Sequence, residues 1–251
     1  MQSKCVNWHQ WQQFFAERSG RLLPELGVSE DYSKLPKSLA RSLAIFQLGE
    51  SGGGTVIEQA RRSKLPGVNG RYADAMELFV AEEHRHANIL AICVRLLDGT
   101  LIRSNWTARL FVRARRLMGL RLKVLVLLAA EVVGICYYHL LAIRLPVCRI
   151  RPMLLQIVDD EHSHLYFHCA FLRSQTRSTW RRGLFALVWR TTMLAAAIAV
   201  IIDHRGAIRD IGLEPESVWQ RLMSCSQLAE RLVTGPSAPD GYLITDPSLC
   251  V

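Results

Sequence analysis

Glu82-Glu83-His84-Arg85-His86 and Asp160-Glu161-His162-Ser163-His164 decide how this chain of 251 residues reads. Each block sets a Glu and a His three residues apart, a spacing that brings both side chains to one face of an α-helix, within reach of a single metal ion. Glu supplies hard oxygen and neutral His supplies nitrogen, the pairing that iron and manganese accept at a site open to oxygen or substrate. In a chain with 8 His, chance alone yields about 0.4 Glu-x-x-His matches. The weight of the two blocks therefore comes from where they lie. Both sit in long apolar helical patterns, where an uncompensated carboxylate costs several kcal/mol of desolvation. Two blocks suggest two metals.

Two lone acids extend the pattern. Glu50 closes Ser42-Leu43-Ala44-Ile45-Phe46-Gln47-Leu48-Gly49-Glu50, and Glu131 lies in Val124 to Ile135, a stretch with no other charge and no Lys or Arg within four residues of Glu131. In chain order the acids and imidazoles read Glu50, Glu83 with His86, Glu131, and Glu161 with His164. That is one lone Glu and one Glu-x-x-His, twice over.

This set resembles the ferritin-like di-iron and di-manganese carboxylate bundles, in which two helices each give a Glu and two more each give Glu-x-x-His. Bacterial di-iron monooxygenases of that superfamily often carry an acidic residue before the Glu and an Arg before the His, as Glu82-Glu83-His84-Arg85-His86 does. In the second block Ser163 stands where the Arg would be, which leaves the ligands intact and removes a local salt-bridge partner. The resemblance covers about residues 38–175. It implies an all-α, ferritin-like four-helix bundle with extra N- and C-terminal helices. The implied ligands are Glu50, Glu83, His86, Glu131, Glu161 and His164, with at least one lone Glu bridging.

Several neighbours have two readings. His168, four residues after His164, shares its helical stripe; it is an additional ligand, as in the p-aminobenzoate N-oxygenases that carry an extra His, or a hydrogen-bonded core His, and the second is favoured. Asp160 suits an acceptor for an imidazole N–H, which fixes the tautomer. Tyr138, seven residues after Glu131, faces the site as a hydrogen-bond donor or redox group, or simply packs. Glu58, Glu77 and Glu82 read as surface or supporting residues, and His84 and His139 have no geometric claim on a metal. Gly52-Gly53-Gly54 cost a helix interior about 1 kcal/mol each relative to Ala. They either open a pocket for substrate or dioxygen beside Glu50 or break the helix.

Composition supports one helical domain over 1–234, with its bundle core at about 36–175 and an irregular tail at 235–251 rich in Pro and Gly. Periodicity and breakers predict an amphipathic segment at 8–23 and helices at 36–63, 70–97, 104–117, 119–144, 150–174 and 215–233, with no alternating β pattern. The apolar segment 183–203 is long enough to span a membrane, but Arg190 near its middle costs roughly 2.5–3.5 kcal/mol on insertion scales. A buried fifth helix packed on the bundle is expected there instead. Seven Cys without a Cys-x-x-Cys pair favour reduced, buried thiols, a cytoplasmic protein and electrons from an external donor.

The net charge is +9. Arg109 to Arg121 and Arg177 to Arg182 place Arg beside apolar helices, which suits a solvated basic face or an anionic membrane surface better than base readout. No nucleic-acid partner is expected, whereas a peripheral membrane contact and a homodimer are compatible with the pattern. The reading that follows is a di-iron oxidase or oxygenase, with manganese as the alternative metal. It would use dioxygen and external electrons to hydroxylate, N-oxygenate or desaturate a small organic or lipid-like substrate. Its rivals are an iron-oxidising, storage or peroxide-scavenging protein, and a non-catalytic helical scaffold at a membrane surface. No haem-attachment motif, phosphate-cradling loop or Ser/His/Asp constellation competes.

Overall fold

The computed structural model describes residues 6–21, 31–52, 54–106 and 118–235, which are helical with no strand among them. The helices are α1 (Trp8–Arg18), α2 (Lys37–Glu50), α3 (Gly54–Arg61), α4 (Gly70–Leu96), α5 (Leu120–Arg144), α6 (Ile150–Gln175), α7 (Thr179–Asp203), α8 (Arg205–Asp210) and α9 (Pro215–Thr234). Asn7 and Asn69 cap α1 and α4 by accepting from the amides of Gln10 and Tyr72, which satisfies first-turn donors that the helix leaves unpaired. α4, α5, α6 and α9 begin and end within a residue or two of the expected boundaries, whereas α1 stops at Arg18, short of the expected 23, and α7 begins at Thr179, ahead of the expected 183. The helix expected at 36–63 is instead two. It stops at Glu50, where Ser51 bonds back to Gln47, because the glycines that follow cost more helix free energy than one more turn returns.

Two pairs of helices form the centre. α5 and α6 pack along their lengths, and α2 packs on α4. The C-terminus of α4 shows what fixes the second pair. Asp98 adopts a left-handed φ of 52°, and Asp98 N–H and Gly99 N–H bond the carbonyls of Arg95 and Val94, a Schellman turn that stops the helix. A Cβ on Gly99 would come within 2.6 Å of the Cβ of Ala40, so only glycine lets the end of α4 lie against the start of α2.

An aromatic layer closes one side. Trp8, Trp11 and Phe15 of α1 are buried and pack on α4 and α6, with Trp8 4.8 Å from Tyr72 and Phe15 5.2 Å from Phe167 between ring centroids. Burial of each such ring contributes about 1.5–3 kcal/mol, enough to hold an eleven-residue helix that would be marginal alone.

The segment expected as a buried fifth helix packs by one face only. α7 buries Phe185, Trp189, Met193, Ala197 and Val200, with the indole of Trp189 donating to the Ser226 carbonyl at 3.0 Å. Its opposite face is exposed. Arg190 lies at the surface in a bidentate pair with Glu230 at 2.9 and 2.7 Å, so its charge stays solvated. Cys93, Cys136, Cys169 and Cys225 are buried free thiols and Cys148 is half-buried. Cys5, Cys250, residues 107–117 of the expected basic helix and the tail from 236 lie outside the described residues.

Candidate metal centre

The 3.6-residue period puts Glu83 and His86 on the inward face of α4 and Glu161 and His164 on that of α6. All four are buried, and one ligand atom from each lies within 4.8 Å of the others. His86 Nδ1 is 3.2 Å from Glu161 Oε1 and 3.7 Å from Glu83 Oε1. His164 Nδ1 is 3.1 Å from Glu83 Oε1, 3.1 Å from Glu161 Oε2 and 3.8 Å from Glu131 Oε2. Both imidazoles therefore turn Nδ1 toward the carboxylates.

Their other nitrogens point outward to a crossed pair of acids. His86 Nε2 is 3.2 Å from Asp160 Oδ2, and His164 Nε2 is 2.9 Å from Glu82 Oε2. The acid preceding the Glu of each helix thus holds the imidazole of the other helix. A proton on Nε2 donated to these carboxylates leaves the Nδ1 lone pair facing inward, the tautomer that a metal ion requires.

The lone acids complete the ring. Glu131 of α5 is buried and hydrogen-bonded with Glu161. Glu50, half-buried at the end of α2, accepts from Tyr138 O–H at 2.8 Å and meets Glu83. Tyr138 is therefore a donor to the site as well as a packed ring. His168 is fully buried, with Nε2 3.3 Å from Glu131 Oε1, and neither of its ring nitrogens forms a hydrogen bond. That geometry departs from the favoured hydrogen-bonded core His and places the ring beside Glu131. His84 is exposed and His139 half-buried, away from the cluster.

Three arginines hold the outer acids. Arg85 lies 2.5 Å from Asp160 and 3.5 Å from Glu82. Arg18 pairs with Asp160 and lies 3.6 Å from Glu82, and Arg21 is 2.7 Å from Asp160. The support that Ser163 cannot give the second block is supplied by Arg85 across the helix pair, by Arg18 at the end of α1 and by Arg21 just after it. Sequence reasoning missed both residues from the N-terminal region. The only signal was a surplus of acids, since Arg85 alone cannot satisfy both Glu82 and Asp160.

A further missed residue is Gly134, on α5 three residues after Glu131. A Cβ there would lie 3.3 Å from Tyr138 Cε2 and 3.6 Å from Glu161 Oε1, so this glycine makes room beside the carboxylates. Gly52 instead marks the helix break, while Gly53 lies outside the described residues.

The electrostatics show how the buried acids and imidazoles share charge. Burial, reinforced by Glu83 and Glu161, pushes Glu50 well above the usual carboxylate range, and burial with the same two neighbours does so for Glu131. Burial alone would also raise Glu161, but hydrogen bonds from Glu131 and His164 and the nearby His86 ring hold it well below its ordinary value. Burial alone would lower His86, yet its bond to Asp160 and the Glu161 carboxylate facing its Nδ1 carry it up to about 9. His164 is likewise raised, with Glu131 and Glu161 outweighing burial. His168, without such a bond, is pushed by burial down to about 3. Protons thus do the work of cations in the metal-free protein.

Glu83 Oε1, His86 Nδ1, Glu131 Oε1 and both His168 nitrogens are buried without a hydrogen-bond partner, and buried polar atoms of this kind cost free energy unless satisfied. The arginine pairs go to Glu82, Asp159 and Asp160, not to the four inner carboxylates. A cation held by Glu83, His86, Glu161 and His164 would take up orphaned atoms there, and those four residues fit a metal ion.

Groups raised above their unfolded values stabilise the fold fully below the unfolded value, and that contribution is lost as pH rises through the folded one. For His86 the window runs from 6.5 to about 9, and His164, Glu50 and Glu131 act in the same direction. Chelator-treated protein is therefore expected to melt at a lower temperature at about pH 9 than at about pH 6, and bound metal should flatten the profile. Thermal denaturation with and without chelator checks this; a metal-free protein more stable at the higher pH would contradict the assignment.

No protein-family model matches the chain, and no curated protein or solved structure matches it.

Proposed function

We propose that the cluster is a dinuclear metal centre in a ferritin-like four-helix bundle, and that the protein is a di-iron oxidase or oxygenase, with manganese as the alternative metal. The observation that carries this reading is the convergence of four carboxylates and two imidazoles, from four helices, with both Nδ1 atoms facing the acids. Glu50, Glu83, His86, Glu131, Glu161 and His164 would hold the ions, with His168 placed to join Glu131. A bound pair of redox-active ions supplies dioxygen activation and two-electron chemistry.

The chain's own residues do the rest. Asp160 and Glu82 fix the imidazole tautomers, Tyr138 orients Glu50 through its O–H, and Phe15 and Phe79 keep water from the His164 imidazole. The substrate class is a small organic or lipid-like molecule, and an external donor supplies the electrons.

Anaerobic loading with Fe(II), followed by iron analysis and Mössbauer spectroscopy after exposure to oxygen, tests the proposal. Two irons per chain and a spin-coupled diferric spectrum are expected. A wild type that binds no iron would leave the cluster as an internal ion-pair network of a helical scaffold, and a closed cage of many subunits by native mass would assign the same centre to iron storage.

A further inference from the structure

The outward face of α7 has no role in the metal centre. Trp180, Leu184, Leu187, Leu194, Ile198 and Ile202 are 46–66% exposed. At 100° per residue they form one stripe opposite the buried Phe185, Trp189, Met193, Ala197 and Val200. From Leu184 to Ile202 the stripe runs about 27 Å. α5 shows how unusual this is. The two helices have the same peak mean hydropathy of 2.0, yet 83% of that stretch of α5 is buried and only 28% of that of α7. α5 is a core helix; α7 is equally apolar with half of its circumference uncovered. Soluble proteins rarely leave so continuous an apolar strip bare unless something docks there.

We propose that this face docks in the plane of an anionic lipid bilayer. The groups at its two ends choose the occupant. Trp180 is exposed beside exposed Arg177 and Arg181, with the Arg181 guanidinium 5.4 Å above the Trp180 ring. At the other end Trp106 is 48% exposed, with its indole bonded to Asp203 at 3.0 Å, near exposed Arg205 and Arg103. Amphipathic aromatic rings and Arg at both limits of an apolar strip match the headgroup level of a membrane, where each Arg adds about 1 kcal/mol of attraction to anionic lipid.

The buried face of α7 is committed to α9 and α5, so the helix lies along the surface rather than crossing it. A second copy fits less well. A stripe about 27 Å long and about 10 Å wide buries roughly 500–600 Å² in total between two chains, about half of what a stable interface needs.

Flotation of the full-length protein with vesicles tests the proposal without reference to metal. Binding is expected to phosphatidylcholine vesicles containing phosphatidylglycerol, weak binding to phosphatidylcholine alone, and release by salt. The double variant Leu187→Glu/Ile198→Glu should lose binding by about tenfold or more while keeping wild-type helicity and metal content. Arg181→Glu should weaken the preference for anionic lipid by about fivefold or more. Three results would overturn the proposal: a wild type that does not float; variants that float as well as the wild type; or a dimer in light scattering that the double variant abolishes while vesicles stay unbound, which would assign the face to a second copy.

Discussion

The Glu161→Gln variant is expected to bind less than one metal ion per chain under loading conditions that give two in the wild type. Glu161 divides its oxygens between the imidazoles, with Oε1 3.2 Å from His86 Nδ1 and Oε2 3.1 Å from His164 Nδ1, and it also meets Glu131. No other inner carboxylate turns a separate oxygen to each ring. The amide keeps the shape and removes the charge, so the bundle should fold. Loss of outer hydrogen-bond partners alone weakens metal sites by about 10–100-fold, and loss of a central charged ligand should exceed that range. Elemental analysis after gel filtration, with circular dichroism as the folding control, decides the matter. A folded Glu161→Gln protein that retains two ions would remove this residue from the centre.

Asp160→Ala carries the largest expected cost in stability, about 3–5 kcal/mol, equivalent to a fall of about 10 °C in Tm for a domain of this size. Asp160 is fully buried and receives Arg18, Arg21, Arg85 and His86. Burial would push its carboxyl up, but His86 and the guanidiniums of Arg85 and Arg18 hold it down at about 2. Removing it leaves the buried Arg85 with a bond to the Arg18 carbonyl at 3.3 Å and, as its ionic contact, the longer one to Glu82 at 3.5 Å, and undercompensated buried charge is what makes broken ion pairs expensive. Its neighbour Asp159 is half exposed and pairs with Arg21 at 3.3 Å, so Asp159→Ala should stay within about 0.5 kcal/mol of the wild type. Urea denaturation of the two variants at neutral pH gives the comparison. Equal midpoints would mean that the arginine cluster adds nothing to the fold.

The local parts of this arrangement were legible in the sequence. A three-residue Glu-to-His spacing means the same thing on any helix, and apolar flanks announced that Glu83, Glu131 and Glu161 are buried. The helices bearing them followed from periodicity, a proline and a glycine. What depends on tertiary placement was not legible. Arg18 lies 142 residues from Asp160 in sequence, and nothing local to α1 marks it as the partner. Gly134 looks like one more small residue in an apolar run until the fold sets Tyr138 and Glu161 over it. α7 and α5 are equally apolar, and hydropathy does not say which faces find neighbours. The division of 36–63 at Glu50 turned on whether three glycines interrupt a helix or bend around a pocket, and helix propensity decided for the interruption.

Anomalous diffraction from crystals loaded anaerobically with Fe(II), collected either side of the iron edge, reaches the central claim most directly. Two peaks are expected inside the ring formed by Glu50, Glu83, His86, Glu131, Glu161 and His164, with Asp160 and Glu82 bonded only to the imidazoles. Iron on the protein surface, or a ring that stays closed on its own protons with no anomalous density, would contradict it.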